Sequence, residues 1–129
     1  MNSRRARQDP RIQGQDAEVL ACRYLQHRGL RLLRRNFHCR TGELDLVMED
    51  GDNLVFVEVR YRRRSEHGSA VESVDRRKQR RLIRAAEYFL LTHPRLAARP
   101  ARFDVVGIDP RPEAPGRYRV RWIRNAFEA

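Results

Sequence analysis

Residues 54–61 constrain this chain more than any other segment, because they are apolar on both faces of an extended strand. Side chains alternate along a strand, so Leu54 and Phe56 share a face with Glu58 and Arg60, and valines occupy the other face. A strand that is apolar on both faces belongs inside a sheet covered by helices on both sides. A carboxylate buried there is costly unless a cation or a dense set of hydrogen bonds offsets its desolvation. We therefore expect the Glu58 end of this strand to open onto a cleft.

A second apolar segment, residues 43–49, carries another pair of carboxylates, Glu43 and Asp45. The turn-forming residues 50–53 separate it from the first strand and predict a hairpin. Paired strands lie about 4.8 Å apart, so Asp45 and Glu58 could share one Mg²⁺ in a suitable register. The alternative is a half-exposed hairpin whose charges make ion pairs worth under about 1 kcal/mol each. Spacing alone does not separate the two interpretations.

The remaining elements surround this hairpin. Residues 13–28 have the apolar spacing of an amphipathic helix that ends at Gly29, with Glu18 at the edge of its apolar stripe. A second helix is predicted after a cap at Ser73 or Asp75 and runs to about residue 91. The predicted order is αβββαββ without an internal repeat, and the first three strands form an antiparallel meander. Strands are predicted at residues 30–37, 43–49, 54–61, 102–108 and 118–127.

The charge of the chain predicts a polyanionic partner. Its formal net charge is +11, from 28 basic and 17 acidic residues, and Lys78 is the only lysine. Arginine stays charged and binds phosphate through two parallel hydrogen bonds, so the excess favours nucleic acid over a general arginine bias. The second helix and the loop before it would supply the phosphate contacts. The candidate residues are Arg62, Arg63, Arg64, Arg76, Arg77, Arg80 and Arg81.

The length of 129 residues allows one domain, which we place at residues 12–129 after a flexible basic arm at residues 1–11. Cys22 and Cys39 lack the spacing of a zinc site or a disulfide framework, which favours a reducing compartment. We find no apolar signal region near the start and no apolar run of membrane-spanning length. These features predict a soluble cytoplasmic protein with no membrane partner.

Five stretches together carry a specific resemblance. They are residues 42–46 (Gly-Glu-Leu-Asp-Leu), 55–62 (Val-Phe-Val-Glu-Val-Arg-Tyr-Arg), 77–82 (Arg-Lys-Gln-Arg-Arg-Leu), 102–106 (Arg-Phe-Asp-Val-Val) and 123–127 (Ile-Arg-Asn-Ala-Phe). The set resembles the YraN family of small bacterial proteins, within the PD-(D/E)XK nuclease superfamily, over nearly the whole chain. This resemblance implies an α/β, restriction-endonuclease-like fold with an αβββαβ core, in which helices flank a central mixed sheet.

The resemblance also implies catalytic residues. Asp45 and Glu58 would bind Mg²⁺ or Mn²⁺, with Glu18 as an additional acidic candidate. Arg60 occupies the place of the motif's lysine, but a guanidinium does not readily give up a proton, which rules out direct general-base action. Lys78 and Gln79 on the second helix are alternative candidates, since related folds can move such a residue there. Survival of Lys78 by chance is the competing explanation.

The predicted function is a metal-dependent DNA endonuclease. Resemblance to archaeal Holliday junction resolvases implies branched or damaged DNA as the substrate, and it implies a homodimer. The basic residues would position DNA by its phosphates without reading its sequence. The alternative is a catalytically inactive nucleic-acid-binding module that retains the nuclease fold, and Arg60 is the feature that favours it.

Overall fold

The computed structural model describes residues 14–62, 70–111 and 113–129, and it confirms the predicted order of elements. The basic arm of residues 1–11, together with Arg63 and Arg64, lies outside the described residues. One helix precedes three consecutive strands, and a 3-10 turn at Val71–Ser73 leads into the second helix. The elements are α1 (Gly14–Gln26), β1 (Arg31–Cys39), β2 (Gly42–Asp50), β3 (Asn53–Tyr61), α2 (Arg76–Thr92), β4 (Ala101–Pro110) and β5 (Tyr118–Phe127).

The strands form one mixed sheet of five, in the order β1-β2-β3-β4-β5. Strands β1 to β3 are an antiparallel meander, as predicted. Strand β4 runs parallel to β3, because helix α2 carries the chain back across one face of the sheet. Strand β5 pairs antiparallel with β4 and ends the sheet. The result is an α/β fold of the restriction-endonuclease type, with β3 at its centre.

Two apolar layers cover the central strand, which confirms that both of its faces are buried. Val55 and Val57 pack in the layer beneath α1, and Leu54 and Phe56 pack in the layer beneath α2. All four are at most 2% exposed. No helix in the described ranges has both the length and the apolar character needed to span a bilayer.

Local sequence signals place the element ends. The carboxylate of Asp75 accepts a hydrogen bond from the Lys78 backbone N–H at 3.0 Å, so Asp75 rather than Ser73 caps α2. Asp50 pairs with Asn53 across the predicted hairpin, whose turn residue Gly51 has a φ of 62°. The first contact sets the start of α2. The hairpin turn sets where β2 ends and β3 begins.

Hydrogen bonds to a buried carboxylate link the last strand to the rest of the sheet. Asp104 in β4 is fully enclosed and accepts hydrogen bonds from Arg102 Nε at 3.0 Å and Trp122 Nε1 at 2.9 Å. It also accepts from the backbone N–H of Asn125 at 2.9 Å. Arg102 donates in addition to Asp50 at 2.8 Å, which links this network to the β2–β3 hairpin. Asp104 therefore has a structural role, because its carboxylate joins β4, β5 and the hairpin.

Candidate metal centre

A cleft opens where β2 and β3 separate. The paired residues of the two strands end at Leu46 and Val57, so the next residues, Asp45 and Glu58, turn into a shared space. Helix α1 supplies one wall and helix α2 another. The charged residues that line the cleft are Glu18, Glu43, Asp45, Glu58, Arg60, Lys78 and Arg81.

Close packing of the β1–β2 turn against α2 sets one side of the cleft. A Cβ atom at Gly42 would lie 3.1 Å from the backbone oxygen of Arg81 and 3.7 Å from Cβ of Ala85. A contact of 3.1 Å is too close to leave the neighbouring backbone undisturbed. The glycine at position 42 thus allows the approach that brings the start of β2 against the helix.

The carboxylates have few hydrogen-bond donors. Asp45 Oδ2 accepts from the backbone N–H of Val59 at 2.9 Å, which orients it at the end of the strand pair. Glu58 Oε2 accepts from Arg60 at 3.4 Å, a long contact. Glu18 Oε1 is buried and has no hydrogen-bond partner. A buried carboxylate oxygen without a donor is costly, which makes this oxygen a candidate ligand for a cation.

Burial and the neighbouring Asp45 raise the pKa of both glutamates in the cleft. Burial first, and then the charge of Asp45 and a hydrogen bond to it, raise the pKa of Glu58 to about 8 against the opposing charges of Arg60 and Lys78. Burial and Asp45 likewise raise the pKa of Glu18 to about 7. The pKa of Asp45 is raised by burial, although the Val59 N–H opposes this. The site therefore holds more carboxyl groups than its own cations keep ionised at neutral pH.

Two cationic side chains reach the carboxylates. Arg60 contacts Glu58 through one terminal nitrogen, and its Nε–H donates to Ser73 Oγ at 2.8 Å. Lys78 lines the cleft, whereas the amide of the adjacent Gln79 donates to the backbone oxygen of Val74 at 3.2 Å. Neighbouring helical residues project about 100° apart, so α2 turns Lys78 and not Gln79 into the cleft.

The predicted nucleic-acid contacts lie mostly on α2. Arg81 lines the cleft, and Arg76, Arg77 and Arg80 are exposed on the same helix. Arg62 is half-buried just after β3. Sequence reasoning considered Ser73 only as a helix cap and did not predict its contact with Arg60, because no periodic pattern links the two positions.

The donor set suits a hard divalent cation. In the described part of the chain, no three His, Cys, Asp or Glu side chains form a ready-made metal cage. Mg²⁺ needs less than a cage, because it commonly takes one or two carboxylates and keeps several waters. Asp45 and Glu58, with the unpartnered oxygen of Glu18 beside them, provide oxygen ligands of that kind. These three residues could hold Mg²⁺ or Mn²⁺.

Comparison with known proteins gives a consistent family match. The model of the uncharacterised protein family UPF0102 matches residues 17–108. A UPF0102 protein of Stutzerimonas stutzeri is 59% identical over 117 residues, which covers 90% of this chain and 94% of the relative. A UPF0102 protein of Nitrosococcus oceani is 51% identical, with 91% and 92% of the two chains covered. A UPF0102 protein of Pseudomonas aeruginosa is 52% identical, with 95% and 98% covered.

Proposed function

The chain belongs to the UPF0102 family, the YraN-like group of PD-(D/E)XK nuclease-like proteins, and we propose that it is a metal-dependent DNA endonuclease. It would hydrolyse phosphodiester bonds, with branched or damaged DNA as its preferred substrate. One observation carries the proposal: Asp45 and Glu58 meet at the end of a strand pair, in a cleft that also contains Arg60 and Lys78. Carboxylates flanked by cations suit a site that binds both a metal and a phosphate.

Asp45 and Glu58 would hold Mg²⁺ or Mn²⁺, with Glu18 near enough to contribute through its unpartnered oxygen. When bound, such an ion polarises the phosphate and makes a water molecule more acidic. The cation would also offset the burial, and the repulsion by Asp45, that raise the pKa of Glu18 and Glu58. Metal binding should therefore release protons near neutral pH.

The cationic residues have separate tasks. Arg60 keeps its proton, so it binds phosphate oxygens and stabilises the negative charge that develops during hydrolysis. Lys78 approaches from α2, and its charge acts on Glu58 across the cleft. It would hold a second phosphate oxygen or the attacking water. Two cations on two elements orient a phosphodiester better than one, because each fixes a different oxygen.

DNA would reach the cleft along helix α2. Arg76, Arg77 and Arg80 are exposed, and Arg81 continues from them into the cleft. Contacts of this kind attract the phosphate backbone without reading bases. The helix thus supports a preference for DNA structure rather than sequence, and a possible homodimer would present two such sites to a branched substrate.

Cleavage assays test the proposal. Linear, flapped and four-way DNA are incubated with Mg²⁺ or Mn²⁺ and either wild type, Asp45→Ala or Glu58→Gln. We expect metal-dependent cleavage by wild type and its loss in both variants, with DNA binding retained. Glu43→Gln is the matched control, because Glu43 lines the same cleft but is 60% exposed and pairs with His38. Equal cleavage by wild type and both variants would contradict the assigned site.

A nucleic-acid-binding module without catalysis is the second candidate, favoured by Arg60 in the place of the motif's lysine. Under that function the wild type binds branched DNA but cuts no DNA with either metal. Isothermal titration with Mn²⁺ separates the two functions further, since a module that has lost its chemistry need not bind metal. Metal-dependent cleavage that disappears in Asp45→Ala would exclude it.

A further inference from the structure

The hydroxyl of Ser73 makes two hydrogen bonds with a defined direction. Its proton is donated to the backbone oxygen of Ala70 at 2.6 Å, and its oxygen accepts from Arg60 Nε at 2.8 Å. A hydroxyl has one proton, so the bond to Ala70 leaves a lone pair facing Arg60. Ser73 can therefore act on the guanidinium only as an acceptor.

The turn that carries Ser73 is itself fastened to the sheet. The backbone N–H of Ala70 donates to Asp109 Oδ1 at 2.8 Å, and both residues are buried. Gly107 lies opposite Arg60 in the β3–β4 pairing, and a Cβ atom there would lie 2.5 Å from Val71 Cγ2. The turn thus lies directly over the strand next to Arg60, at a distance that only glycine permits.

We propose that Ser73 is a positioning residue that holds Nε of Arg60, so that the terminal nitrogens of the guanidinium face Glu58 and a phosphate bound in the cleft. The proposal rests on the proposed nuclease function. Strand β3 carries Arg60, the turn carries Ser73, and Asp109 of β4 holds that turn in place through the backbone N–H of Ala70.

The contact also accounts for the residue type at position 60. A guanidinium donates from Nε and from two terminal nitrogens in one plane, so it can bind Ser73 and Glu58 together and still offer N–H groups to phosphate. A lysine has a single terminal nitrogen, and a methylene that cannot donate a hydrogen bond takes the place of Nε. Arg60→Lys should therefore lower cleavage, although it introduces the residue found in the superfamily motif.

Steady-state cleavage of four-way DNA with Mn²⁺ gives the first test. Ser73→Ala should lower kcat about 10- to 100-fold with KM within about 3-fold, since a misplaced group costs about that much in catalysis. Ser73→Thr keeps the hydroxyl and should restore kcat. In an Arg60→Ala background, Ser73→Ala should cause no further loss, because both changes remove the same interaction. Full kcat in Ser73→Ala, or independent losses in the double variant, would overturn the proposal.

Nuclear magnetic resonance gives a second test that needs no turnover. The ¹⁵N–¹H signal of Arg60 Nε, identified by its absence in Arg60→Lys, should exchange slowly with water in wild type and be lost in Ser73→Ala. Thr92→Ala is the matched control, because it removes a hydroxyl at the other end of α2. An Nε signal unchanged by Ser73→Ala would overturn the proposal. If wild type cuts no DNA, the proposed nuclease function and the catalytic role of Ser73 are both refuted. The Arg60 Nε signal still shows whether the hydrogen bond between Arg60 and Ser73 exists.

Discussion

Glu58→Gln should stabilise the metal-free protein at alkaline pH. Burial, Asp45 and a hydrogen bond raise the pKa of Glu58 from its ordinary value of 4.5 to about 8. Glutamine has nearly the same shape, carries no charge, and can still accept from Arg60 and donate to Asp45. The substitution therefore removes the cost of burying the ionised carboxylate while retaining its contacts.

The sign follows from where the proton is held. Between pH 4.5 and about 8 the folded chain keeps the Glu58 proton and the unfolded chain has lost it, so the free energy of unfolding falls as pH rises. The favourable contribution of Glu58 is complete below pH 4.5 and is lost as pH rises through 8. Each pH unit in this interval is worth up to about 1.4 kcal/mol, and the whole interval is worth on the order of 5 kcal/mol. At about 3 °C per kcal/mol, Glu58→Gln should raise Tm by roughly 15 °C at alkaline pH.

Thermal and urea unfolding followed by circular dichroism, in EDTA and from pH 5 to 8.5, measure the effect. The Tm and the free energy of unfolding of Glu58→Gln should exceed those of wild type only slightly at pH 5, and the difference should grow steadily up to pH 8.5. Glu43→Gln, at the exposed carboxylate of the same cleft, should show a smaller trend, because Glu43 reaches the buried carboxyl groups only through its charge on Asp45 and Glu18. Mn²⁺ should stabilise wild type and so reduce the difference in stability between wild type and Glu58→Gln. A stability difference that stays constant with pH would refute the reasoning.

The other predictions concern the fold and the basic helix. Asp104→Ala should lower the free energy of unfolding by about 3 kcal/mol in urea titrations, since it leaves the partly buried Trp122 N–H without its acceptor and removes one of the two carboxylates that pair with Arg102. Gly107→Ala should cost about 1–3 kcal/mol in the same assay, because its Cβ would overlap Val71. DNA affinity should fall roughly 10³-fold between about 50 and 200 mM salt if about six phosphates are neutralised, and a flat salt response in fluorescence anisotropy would contradict the electrostatic model of binding.

The fold could be predicted from the sequence because its strands and helices follow periodic patterns of apolar residues. The alternation of residues 54–59, apolar on both faces, requires a central strand, and β3 lies at the centre of the sheet. The turn at Gly51 sets the register that brings Asp45 and Glu58 together. The short 3-10 turn at Val71–Ser73 was not predicted, because it repeats no pattern and depends on the contact of Val71 with Gly107.

The candidate site was predictable only where the backbone alone fixes it. Asp45 and Glu58 follow from strand pairing. The choice between Lys78 and Gln79 instead depends on the rotation of α2, which the packing of its own Leu82 and Phe89 in the core sets. The sequence alone also does not place Glu18. A residue at the edge of the apolar stripe of α1 can face either solvent or the cleft. The structure places it in the cleft.

The distribution of charge joins the two halves of the proposed function. The chain has a net charge of +11, yet the carboxylates of Glu18, Asp45 and Glu58 meet within the cleft. The basic helix attracts a polyanion, whereas each carboxyl group of the cleft that loses its proton repels the phosphate that reaches it. A bound divalent cation replaces that repulsion by attraction for the phosphate. A bound phosphate in turn adds negative charge that attracts the cation. Metal and DNA should therefore each increase the affinity for the other by the same factor, as linkage between two sites demands.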